Sequence, residues 1–118
     1  NDEIFVLDYG LPAVFRLAED GMVLSRFGKR GTGKGDFSVP KAIAVNPQGQ
    51  IFVAEALSHR VQVFDRTGNW LTSFGKKGQA AGEFTNPESL ACRPGGSIYV
   101  LDRGNHRIQV FRYAPPSA

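Results

Sequence analysis

Two sets of residues with chemical potential stand at matched places in this chain: Glu55, His59 and Arg60 in one stretch, and Asp102, His106 and Arg107 in another. An imidazole near a carboxylate and a guanidinium can bind a metal, move a proton, or build an ion-paired hydrogen-bond network. A zinc-type centre takes three or four converging ligands, and one histidine per stretch falls short of that. Recurrence favours the network. A reaction centre gives different roles to different residues, whereas a feature copied in each stretch serves something the repeated structure itself needs. Arg60 and Arg107 are therefore read as ion-pairing residues that lock neighbouring units, with His59 and His106 packing the adjoining loop. No Ser/His/Asp set, cleft-type carboxylate pair or Cys-x-x-Cys motif is present. The basic run Lys29-Arg30-Gly31-Thr32-Gly33-Lys34-Gly35 loosely resembles a phosphate-binding loop. It lacks the Gly-Lys-Ser/Thr ending, and no helix is expected after it, so it reads as a connection whose glycines permit tight turns.

The elements that position these residues repeat at a constant offset of 47. Phe27-Gly28-Lys29-Arg30-Gly31 returns as Phe74-Gly75-Lys76-Lys77-Gly78, and Gly35-Asp36-Phe37 as Gly82-Glu83-Phe84. His59-Arg60-Val61-Gln62-Val63-Phe64 returns as His106-Arg107-Ile108-Gln109-Val110-Phe111. Ile4-Phe5-Val6 anticipates Ile51-Phe52-Val53 and Ile98-Tyr99-Val100, so the chain opens inside an earlier unit. A period in the forties, made of short β-type segments and glycine turns, marks one structural unit stacked repeatedly.

Each unit reads as four short strands. In the middle unit these are Ala42–Val45, Ile51–Ala54, Arg60–Phe64 and Trp70–Phe74, separated by Asn46-Pro47-Gln48-Gly49 and Asp65-Arg66-Thr67-Gly68-Asn69 turns. Four antiparallel strands per repeat make a propeller blade. The expected fold class is all-β: a β-propeller segment of about two and a half four-stranded antiparallel blades. The expected division is a partial blade of three strands over 1–27, a complete repeat over 28–74, a repeat lacking its outer strand over 75–113, and a flexible tail over 114–118.

Such a blade puts the connections between blades, and the turn between its second and third strands, on one face. That face would gather Lys29, Arg30, Lys34, Arg60, Lys76, Lys77, Arg103 and Arg107, partly neutralised by Asp36, Glu55, Glu83 and Asp102. With 118 residues, 42% hydrophobic content and a formal charge of +3, the chain suits one small domain that tolerates an acidic partner without requiring one. Phe37, Phe84 and Phe111 recur in register and read as core, as does the single cysteine, Cys92, which allows no intrachain disulfide. No run of 18 apolar residues is present, so no membrane-inserted helix is expected. The chain opens at Asn1 without a methionine, which favours a processed or exported protein or a start outside this sequence.

The pattern Phe74-Gly75-x-x-Gly78-x-x-x-Gly82-x-Phe84, then Pro87, Gly96, Ile98-Tyr99-Val100, Asp102 and Asn105-His106-Arg107-Ile108-Gln109-Val110-Phe111, resembles the NHL repeat. The middle copy departs mildly, with Glu55 at the acidic position and Ser58 before His59. The first departs strongly, with Gly10-Leu11-Pro12-Ala13 where the His-Arg pair would fall. The resemblance implies a propeller of about six blades, so the ring would need more blades from the same chain or from other copies. It implies a non-catalytic scaffold that binds a protein partner through its loop face, within a larger protein or complex, with no cofactor. Two alternatives follow from the same family: binding of single-stranded RNA through a basic top face, and a fragment of a propeller enzyme such as a metal-dependent lyase.

Overall fold

The computed structural model describes residues 3–113, and the tail expected at 114–118 lies outside them. Ten strands follow one another: β1 (Ile4–Asp8), β2 (Ala13–Leu17), β3 (Val23–Phe27), β4 (Pro40–Val45), β5 (Ile51–Glu55), β6 (Arg60–Phe64), β7 (Trp70–Phe74), β8 (Pro87–Cys92), β9 (Ser97–Asp102) and β10 (Arg107–Arg112). One 3-10 turn, Arg103–Asn105, was not foreseen. The strands form three separate sheets in the orders β1-β2-β3, β4-β5-β6-β7 and β8-β9-β10, each neighbour antiparallel to the next. These are propeller blades in an open array. The first sheet lacks an inner strand and the third an outer one.

The repeat extends to the irregularities. Register shifts interrupt the pairing between Arg16 and Leu17 and between Val63 and Phe64, 47 residues apart. Others fall between Pro40 and Ala42 and between Pro87 and Ser89. Proline has no N–H to donate, so it stands where a ladder can begin or slip.

Side chains alternate across a strand, so each sheet offers one face to the preceding sheet and one to the following sheet. Ile51 and Val53 look back, where they pack with Val14, Phe37 and Phe64 against Phe5 and Leu7 of the first sheet. Phe52, Ala54, Val61 and Val63 look forward, where they meet Phe84, Ile98 and Val100 of the third. Covered on both faces, β5 is buried at all five positions. The flanking sheets are covered on one face only, and β10 alternates between half-buried and exposed positions along its length.

The Phe84 ring, fully buried, touches Phe74 and Phe111 at centroid separations of 6.3 and 5.6 Å. It is the plug of the second joint. Phe37 fills the matching place in the first, 5.7 Å from Phe64. Gly28 and Gly75 leave room for these rings, because a Cβ at either position would collide with Phe37 or Phe84, and both have positive φ, 98° and 97°.

Candidate functional site

The repeated acidic residues end the second strand of their sheets, paired across the ladder with the arginines that begin the third: Glu55 with Arg60, and Asp102 with Arg107. Both carboxylates are fully buried. A buried charge is tolerated only when it is paired and its lone pairs are satisfied. Glu55 meets this with Arg60 Nε, with the Ser38 amide at 2.8 Å and with Gln62 Nε2 at 2.9 Å, all donating to it. Asp102 accepts from the Thr85 amide at 2.7 Å, Asn105 Nδ2 and Arg107 Nε at 2.9 Å, and Gln109 Nε2 at 3.2 Å.

The arginines continue outward to the incoming connection. Arg60 donates to the carbonyls of Gly33 and Asp36, each at 3.0 Å, and Arg107 to those of Ala80 and Glu83, each at 2.9 Å. Gln62 and Gln109 complete the clamp. Each donates to a carbonyl of the connection, Asp36 or Glu83, and accepts from its glycine amide, Gly35 or Gly82. Two polar glutamines inside apolar strand runs were the available signal for this role. The network fastens the connection that enters a blade to the strands of that blade, rather than one sheet directly to the next.

Burial raises the Asp102 carboxyl pKa, but the hydrogen bonds from Thr85, Asn105 and Arg107, together with the Arg107 charge, outweigh it and hold it below the usual carboxylate range. In the first sheet the same position is Asp8, which is exposed. Ala13 and Phe15 replace the arginine and glutamine there, and Asp8 Oδ1 instead caps its own turn, accepting from the amides of Gly10 and Leu11.

The histidines take left-handed backbone conformations, φ 52° at His59 and 53° at His106. His59 Nδ1 accepts the Asn86 amide at 2.9 Å, which ties the second sheet to the approach of the third. His106 is exposed, with no side-chain hydrogen bond among the described residues. Among the described residues no three His, Cys, Asp or Glu side chains converge as a metal site would require.

The predicted cations divide into three groups. Arg60 and Arg107 are committed to the clamps. Lys34 turns toward the Trp70 ring, 5.0 Å from its centroid, at the start of the outer strand. The remainder lie on the connections and turns, which hydrogen bonds hold side by side: Arg30 Nη2 donates to Gly10 O at 3.1 Å, and the Gly104 amide to Thr85 O at 2.7 Å. There Lys29, Arg30, Lys76, Lys77 and Arg103 are all exposed. Lys76 lies 3.7 Å from Glu83, and Arg103 lies 3.1 Å from Glu88. Lys29 and Lys77 have no carboxylate within ion-pair distance among the described residues. Cys92 is half-buried rather than enclosed, and burial pushes its thiol up to about 11.

The NHL repeat model matches residues 37–64 and 84–111, the segments that run from each joint phenylalanine through the clamp to the end of the third strand. The chain is 37% identical over 59 residues to NHL repeat-containing protein 3 of Homo sapiens, a match covering 49% of this chain and 17% of that protein. It is 40% identical over 55 residues to Protein lin-41 of Caenorhabditis elegans, covering 47% of this chain and 5% of that one. The matches thus span a small part of these relatives. Among solved structures, a protein of unknown function from Bacteroides thetaiotaomicron superposes with a TM-score of 0.72 at 13% identity, over 93% of this chain and 32% of that one. Virginiamycin B lyase from Staphylococcus aureus superposes with a TM-score of 0.62 at 17% identity, over 98% of this chain and 39% of that one. These two likenesses concern the fold alone. With its two clamped units matched in sequence and its three sheets arranged as blades, this chain carries two NHL repeats in an open array of β-propeller blades.

Proposed function

We propose that this chain is a non-catalytic interaction scaffold that binds the acidic surface of a protein partner through its loop face, within a larger protein or complex. One observation carries the reading. The repeated acids and arginines are consumed by the clamps, while Lys29, Arg30, Lys76, Lys77 and Arg103 stay exposed along adjoining loops. Basic loops of this kind raise the association rate of an acidic partner and set its orientation.

Single-stranded RNA is the second reading, favoured by Tyr9, an exposed ring in the first sheet's turn at the same end, 63% accessible, with Lys41 Nζ 5.7 Å from its centroid. Base stacking wants several such rings, and Phe37 and Phe84 are fully buried.

Fluorescence anisotropy with a labelled Glu/Asp-rich peptide and a labelled oligouridylate separates the two. The expected result is peptide binding that falls at least tenfold in a Lys29→Glu, Lys76→Glu, Lys77→Glu variant. Oligouridylate binding with a steep salt dependence, and no peptide binding, would replace this reading with the RNA one.

A further inference from the structure

The two ends of the array are unfinished in complementary ways. On the forward face of the third sheet, Ile108 is 65% and Val110 58% accessible, although Val61 and Val63, their counterparts one repeat earlier, are at 0%. On the backward face of the first sheet, Ile4 is 46% and Val6 41% accessible, although Ile51 and Val53 are at 0%. Leu101 widens the forward patch and Val23 the backward one. Exposed apolar surface gathered on one face is normally covered by something.

What covers it can be read inside the molecule. Val61 and Val63 are buried in one cluster with Ile98 and Val100, the backward-looking pair of the next sheet. Val14, the counterpart of Val61 in the first sheet, is buried with Ile51 and Val53. The same join is made twice, always a forward face on a backward Ile/Val pair. The chain leaves one forward face and one such pair without a neighbour among the described residues.

We propose that a second copy of this chain docks its backward face, around Ile4 and Val6, onto the forward face around Ile108 and Val110. The contact is heterologous, since unlike faces meet, and a heterologous contact either closes into a ring or grows as a filament. Two copies bring three sheets each, and twice three falls within the range of about four to eight blades that close a propeller, whereas three times three does not, so the pair closes by forming the same join twice.

Light scattering across a concentration series tests this on the 118-residue chain of 12.9 kDa. The expected result is a discrete species of twice that mass. A forward-face variant, Ile108→Lys with Val110→Lys, and a backward-face variant, Ile4→Lys with Val6→Lys, are each expected to run as monomers. Both alter exposed positions, and circular dichroism checks that each remains folded. Mixed in equal amounts they retain one intact join between them, so a pair reappears, at least tenfold weaker than the parent.

A monomeric parent chain would overturn the proposal. So would a backward-face variant that pairs as tightly as the parent, because the contact would then join like faces, and so would a mass that climbs without limit. None of these outcomes touches the lysines of the loop face, so the peptide titration stands or falls separately.

Discussion

At the scale of single residues, the motif that first invites a chemical reading is a buried electrostatic clamp. Removing one member of a buried pair costs more than the pair is worth, because the other charge stays buried without its partner. Arg60→Ala is therefore expected to destabilise the chain by about 3 kcal/mol, read as a lower urea midpoint at unchanged slope. The acid limb carries the same signature. Asp102 is held below its unfolded value, so its contribution is present above the ordinary aspartate range near pH 3.9 and is lost as pH falls through the lower, folded value. Stability should drop through that acid window, and less steeply in Asp102→Asn, whose amide does not titrate. A pH-stability profile of equal slope in the two proteins would remove Asp102 from the account. Recurrence at a fixed spacing made the acid and arginine legible in sequence. Gln62 and Gln109 escaped notice because a glutamine in a strand is usually a solvent-facing residue, and only the path of the connection over the strand shows it enclosed.

At the scale of elements, the strands were legible because period-two patterning and turn residues agree. Arg60–Phe64 and Trp70–Phe74 have the bounds expected from the pattern. The Arg103–Asn105 turn was not legible, since three polar residues carry no periodicity. Nor was the approach of Lys34 to the Trp70 ring, because the partner of a long side chain depends on what the fold brings beside it. The connections are more than linkers. Each carries a phenylalanine, Phe37 or Phe84, into the joint between sheets. Phe84→Ala should cost about 3–5 kcal/mol, the range for emptying an aromatic site in a packed core. A calorimetric scan showing a melting temperature within a degree of the parent would mean that the joint is not packed around this ring.

At the scale of the whole molecule, stability should be graded. The middle sheet is covered on both faces and the flanking sheets on one, and in a stacked array each unit draws stability from its neighbours. The period of 47 made the stack legible in sequence. Val61 and Ile108 are the same kind of residue, and the presence of a neighbouring sheet is what distinguishes a covered face from an open one. The central claim is that the repeated acid, arginine and glutamine hold the second and third blades to their incoming connections. Native-state amide exchange in Arg107→Ala tests it most directly, because it reads the third sheet separately from the second. The account predicts faster exchange at Gly82 and Thr85 and along β8 to β10, with β5 and β6 remaining the slowest. Exchange unchanged at Gly82 and Thr85 would contradict it, since the connection would then be held without the clamp.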